Sequence, residues 1–207
     1  GKRLLDMLER TVESPDRVIE RVAELRGEVG PGVEALSARV IQHYATRSAI
    51  VGGATALPAM LPGAGLLVAL GTSLADMALV LKLEVELCMA LATAHGHDIR
   101  DARERQHAYL LAAVGTYELH LGGDMLRELG ELSRSAIWGY GPRELGKLVL
   151  GALGKLAVSW ASRYVKRSLV KAIPLIGVGI SASMNRTLTR KVGQQAHREL
   201  LDRGRVG

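Results

Sequence analysis

Two aromatic rings and four cations crowd the stretch from Trp160 to Lys171. Trp160 and Tyr164 lie one helical turn apart, with Arg163, Lys166, Arg167 and Lys171 around them and Leu169 and Val170 alongside. Such rings settle at the headgroup level of a bilayer, and the cations favour anionic lipid. Each cation near that surface contributes about 1 kcal/mol, so four supply about 4 kcal/mol, which alone is millimolar binding. Adhesion therefore needs apolar insertion as well. The turn Leu57-Pro58-Ala59-Met60-Leu61-Pro62-Gly63 offers it, since burying Leu57, Met60 and Leu61 adds about 1.5–3 kcal/mol each. Together the two elements predict a peripheral membrane binder.

Other chemistry is sparse. His95, His97 and Asp98, taken with Glu84 or Glu86, have the residue types of a metal site. A polar helix break around Gly96 explains them more simply, so no metal and no cofactor is expected. Cys88 sits among Leu87, Met89 and Leu91 and reads as a small core residue. Asp76 lies in an apolar helix, where an unpaired carboxylate costs several kcal/mol. Its expected partners are in the C-terminal layer around Asn185 and Arg186, which makes Asp76 and Asn185 buried polar residues. No Gly-rich phosphate loop, Gly-x-Ser-x-Gly elbow or His-Glu-x-x-His pair occurs. The chain reads as non-enzymatic. A lipid-acting, metal-dependent enzyme built on Asp76, Glu84, Glu86, His95 and His97 is the reading that a bound metal would favour.

The formal charge of +6 hides an asymmetry. Residues 1–142 carry 14 basic and 18 acidic side chains, whereas residues 143–207 carry 13 basic and three acidic. A field so concentrated faces an anionic partner, lipid or nucleic acid. Nucleic acid is disfavoured, because no recognisable binding module is present and aromatics are few. One cysteine excludes an internal disulfide and points to a reducing compartment. The opening Gly1-Lys2-Arg3-Leu4-Leu5-Asp6 carries acid too soon for a secretory leader. The expected location is cytoplasmic, peripheral at the inner face of the cell membrane.

The elements that must position these groups read as helices throughout. Leu4, Leu5, Leu8 and Val12 form a helical stripe, Ser14-Pro15 starts a second helix, and Gly30-Pro31-Gly32 stops it. A third runs from Pro31 with Val33, Leu36, Val40, Ile41 and Tyr44 on one side. From Ser48 to Ala75 there are 28 residues without an ionisable side chain, interrupted by Pro58, Pro62 and five glycines. That punctuation predicts two short apolar arms folded into a hairpin rather than one bilayer span. Ala45, Ala49 and Gly53, then Gly65, Ala69 and Ser73, place small residues four apart for close helix approach. The second arm, to about Ala94, is apolar all round and so belongs at the centre of a bundle. Further helices are expected from Asp101 to Gly122, from Asp124 to about Trp138, and from Pro142 onward. Ile173-Pro174-Leu175-Ile176-Gly177 echoes the central turn. The reading is an all-α, single-domain multi-helix bundle over 1–207, with a buried apolar helical hairpin.

Leu61-Pro62-Gly63, Asp76 in its apolar helix and Ala94-His95-Gly96-His97-Asp98 resemble the core of the bacterial EcsC protein family. Ile173-Pro174-Leu175-Ile176-Gly177, with Ala182 and Asn185, resembles that family's C-terminal half. The likeness covers about residues 41–200, and the N-terminal amphipathic helices of 1–40 find no counterpart in it. The resemblance implies a helical bacterial protein associated with an ABC transporter at the cytoplasmic membrane, and it supplies no catalytic residues. The expected partners are thus an anionic phospholipid membrane or a membrane protein complex. The alternative is a pore-forming or membrane-perturbing bacterial effector that hides its apolar hairpin inside a helical domain.

Overall fold

The computed structural model describes residues 1–55, 66–130, 134–168 and 177–206. Within them the side chains of 52–55, 66–76, 120–121, 134, 163–168, 177–182 and 205–206 are not described. Every regular element among the described residues is helical. They are α1 (Lys2–Thr11), α2 (Pro15–Val29), α3 (Val33–Thr55), α4 (Leu66–Ala94), α5 (Ala102–Leu121), α6 (Met125–Glu128), α7 (Pro142–Ser168) and α8 (Gly177–Val206). A 3-10 turn, Arg134–Gly139, lies between α6 and α7.

Local sequence explains most boundaries. Ser14 is extended and Pro15 opens α2, where the missing proline N–H costs nothing. Gly30 ends that helix at φ +85°, a conformation open to glycine and strained for other residues. Asp101 caps α5 by accepting the Arg103 backbone N–H, and Gly122 closes it at φ +75°. The single helix expected from Asp124 to Trp138 is instead broken. Asp124 caps the four-residue α6, Gly130 turns out of the helix at φ +89°, and the chain re-forms as the 3-10 turn that buries Ile137.

α4 is the axis of the molecule, as its all-round apolar surface demands. Met77, Leu81, Val85, Leu87, Cys88, Met89 and Leu91 are all buried. α1, α2, α3, α8, α5 and α7 each pack against it. Neighbour contacts link α2 to α3, α3 to α8, α8 to α5, α5 to α7 and α7 to α1. The six helices thus form a ring around α4, with α1 and α8 on opposite sides. Residues 40 and 41 fall inside α3, so the chain runs continuously through that boundary.

Side-chain pairs give the directions. Along α3 and α8, Glu34 meets His197, Ile41 meets Gly193 and Ser48 meets Thr189, so the two helices are antiparallel. Glu104–Arg203 and Gly115–Val192 set α5 antiparallel to α8 in the same way. Gly193 allows the closest approach: a Cβ there would lie 2.8 Å from Ile41 Cγ1 and 3.1 Å from Leu87 Cδ2. Ala45 of the small-residue ladder is fully buried, while Gly53, Gly65, Ala69 and Ser73 lie outside the described side chains. The turn 57–63 of the hairpin also lies outside the described residues.

Candidate functional site

The sequence-predicted membrane residues divide into two groups. Leu57, Met60, Leu61 and Lys171 lie outside the described residues, and the side chains of Arg163, Tyr164, Lys166 and Arg167 are not described although their backbone belongs to α7. Trp160 is described: its side chain is half-buried and packs against the hydrophobic core. Asn185, expected to be buried, is half-buried on α8, and the Asp76 side chain is not described.

A cationic surface is nevertheless present on α8. At 3.6 residues per turn, Thr189, Val192, Gly193, Ala196 and Leu200 share the sector that is buried against the bundle. The rest of the helix surface exposes Met184, Thr187, Lys191, Gln194 and Arg198 on the opposite side, with Arg186 and Arg190 on one flank. Among the described residues, Arg186, Arg190, Lys191 and Arg198 meet no acid within ion-pair distance. Lys155 and Arg203, by contrast, are neutralised by Glu128 at 2.5 Å and Glu104 at 2.7 Å. Aliphatic side chains are also exposed here: Met184 at 49 % on α8 itself and Ile50 at 67 % on the adjoining α3. Sequence reasoning counted the C-terminal cations and missed this face. The spacing of Arg186 to Arg190 and Lys191 to Arg198, four and seven residues, was the available signal.

The two buried glutamates of α4 serve the interior. Glu84 accepts from the Thr116 hydroxyl of α5, and Thr116 also bonds the Ala112 carbonyl at 2.6 Å. Glu86 Oε1 accepts the Glu13 backbone N–H at 2.9 Å and the Lys82 ammonium at 2.5 Å. Arg47 bridges the carboxylates, at 3.3 Å from Glu13 and 3.7 Å from Glu86. Beside this network the buried Tyr44 phenol is pushed far up, by burial first and then by the Glu86 charge. Neither glutamate faces His95 or His97, so the combination of Glu84 or Glu86 with those histidines does not assemble. No group of His, Cys, Asp and Glu among the described residues is arranged to hold a metal ion. Cys88 is fully buried, and burial pushes its thiol well up, away from nucleophilic use.

The histidines instead tie the end of α4 to α8. His95 Nε2 and His197 Nδ1 are 2.9 Å apart, and His197 Nε2 lies 3.0 Å from Glu34 Oε2. With His197 Nε2–H donating to the carboxylate, the second ring nitrogen is left to bond His95 Nε2. Burial, and then the neighbouring His197, lower His95 to about 4. Nearby, Arg203 grips Glu104 with two 2.7 Å bonds and stacks 4.7 Å over Trp138, and it holds the Glu104 carboxyl below its usual range.

One cleft, of about 460 Å³, opens between α1 and α5 over Met89 of α4 and the start of α7. Each helix presents a single face to it: Leu5 and Glu9 from α1, with Val12 just past its end, Ala102, Arg105, Gln106 and Tyr109 from α5, and Gly146, Val149 and Leu150 from α7. Glu13, Ser14 and Pro15 close one end. Burial, then the Glu9 charge, push the Tyr109 phenol up to about 12, so it is a neutral hydrogen-bonding group there.

Against this geometry, no family model, no curated protein and no solved structure matches the chain. No helix among the described residues is long and apolar enough to cross a membrane.

Proposed function

We propose that this chain is a non-enzymatic peripheral protein. It rests the α8 face of Arg186, Arg190, Lys191 and Arg198 on an anionic bilayer, at the inner surface of a cell membrane or beside a membrane complex there. The observation that carries the reading is that these four exposed guanidinium and ammonium groups meet no acid within ion-pair distance among the described residues, with Met184 and Ile50 exposed nearby. Four cations contribute about 4 kcal/mol at such a surface. Seating Met184 and one further exposed aliphatic group adds about 1.5–3 kcal/mol each, which brings binding to the micromolar range. The resemblance of the central and C-terminal turns to the EcsC family supports the same location.

Co-sedimentation with vesicles tests it. The full chain is expected to pellet with phosphatidylglycerol vesicles and not with phosphatidylcholine, and to be released as salt rises. Charge reversal of Arg190 and Lys191 to Glu should lower the partition by at least about thirtyfold, from roughly 1 kcal/mol for each cation lost, and further by the repulsion of the new carboxylates. Equal binding to both lipids, or full retention by the reversed variant, refutes the docking face. Release of trapped dye on binding would identify a membrane-perturbing effector instead.

A further inference from the structure

We infer that the contact between His95 and His197 is an acid-sensitive clasp on the last turns of α8. The two rings hold the end of α4 against α8 while a single hydrogen lies between them, and that end of α8 opens when both rings are protonated. His95 Nε2 and His197 Nδ1 are 2.9 Å apart, with the ring centroids at 5.0 Å. Only one hydrogen fits on a line of that length. With both rings protonated, each facing nitrogen carries its own hydrogen and each ring is a cation, so the contact turns from a bond into repulsion. His197 is held on its other side by Glu34 of α3, 3.0 Å from Nε2, so turning the ring away from His95 sacrifices that bond as well.

The surrounding charges set the direction. Burial, then His197 and His97, disfavour a proton on His95, and Glu34 opposes them. At His97 the α5 carboxylate Glu104 and the α8 cation Arg203 meet: Glu104 Oε2 is 3.8 Å from His97 Nδ1 and 2.7 Å from Arg203 Nη1. A protonated His97 therefore competes with Arg203 for that carboxylate and weakens a second tie on the same end of α8. Arg198 lies on the opposite side of α8 and takes no part. The movable partner is α8. Ile99, fully buried, pins the turn that follows His95, whereas beyond Ala196 only Leu200 of α8 is buried among the described residues. A segment with so few buried apolar groups opens without the rest of the fold. This inference does not depend on the membrane reading.

Amide hydrogen exchange of the full chain at pH 7 and pH 5, corrected for intrinsic rates, tests it. A ring that takes its proton at 6.5 when free and at about 4 when clasped favours the open state by at least about tenfold at pH 5. Amides of 197–204 should lose protection by that factor on acidification, while those of 81–91 in α4 keep theirs. His95→Gln should shrink the change to less than about threefold, whether its contact with His197 is tighter or looser at pH 7. If that chain does not fold, His197→Gln carries the same expectation. Equal exchange of the parent at the two pH values, loss of α4 protection in step with α8, or a full pH effect in the variant overturns the inference.

Discussion

Replacing Glu86 with Ala is the sharpest probe of how the bundle is held together. Glu86 is fully buried and accepts two hydrogen bonds, from the Glu13 N–H and the Lys82 ammonium, with Arg47 at 3.7 Å. Its removal orphans a backbone N–H, at about 1–3 kcal/mol. It also strips the counter-charge from Lys82 and Arg47. Breaking a fully buried pair costs about 3–5 kcal/mol. Here the cations keep 18 % and 32 % exposure and can rehydrate in part, so the low end applies. The expected loss is about 3 kcal/mol, read as a shift of urea midpoint at constant slope, with a fall in melting temperature of about 6–12 °C. Replacing Lys82 and Glu86 together with Met should recover about half of it, since Arg47 still has Glu13 and only the N–H remains orphaned. A Glu86→Ala chain within about 1 kcal/mol of the parent refutes the reasoning and makes the network ornamental.

Two further outcomes follow from the packing and the histidines. Gly193→Ala gains helix propensity worth about 1 kcal/mol but drives a methyl into the stiff Ile41 side chain, so urea melts should show a net loss of about 1 kcal/mol, and Gly193→Leu at least about 3 kcal/mol. Gly27→Ala, where a Cβ meets nothing within 4 Å, should instead stabilise by about 0.5–1 kcal/mol. His95 has a folded pKa lowered from 6.5 to about 4 by burial and then by His197, so the unfolded chain binds the extra proton first. The stability it contributes is complete above about pH 6.5 and is lost as the pH falls through about 4, and His95→Gln should flatten that part of a stability-versus-pH curve measured by urea melts.

Much of the architecture was legible because it is written in helical periodicity and in proline and glycine punctuation. The stripes Leu4–Leu8, Val18–Val22–Leu25 and Leu36–Val40–Tyr44 are the buried faces of α1, α2 and α3, and the all-round apolar α4 is central. The region from Asp124 to Trp138 was misread because helix propensity outweighed Gly130, whose positive φ could not be known from its identity alone. How far Trp160 is covered was not legible either, because the helices packed beside α7 set which of its faces is shielded. The cleft was invisible for the strongest reason: Glu9, Gln106 and Gly146 are far apart in sequence and share a wall only because α1, α5 and α7 converge over Met89.

The ring order of the helices separates the two surfaces that matter. α1 and α8 lie across α4 from one another, so a chain seated on lipid through Arg186, Arg190, Lys191 and Arg198 leaves the mouth formed by Leu5, Glu9 and Val12 turned to solvent. The charge asymmetry serves the first of them, because the exposed cations of α8 would draw that side to an anionic surface. What joins the sides is the polar interior of α4. Glu86 holds Glu13, the residue that closes the cleft, and Glu84 holds α5, the helix that also carries Gln106 and Tyr109. Apolar residues at 84 and 86 would pack a bundle just as well, but they would not set the register that brings α1, α5 and α7 to one opening.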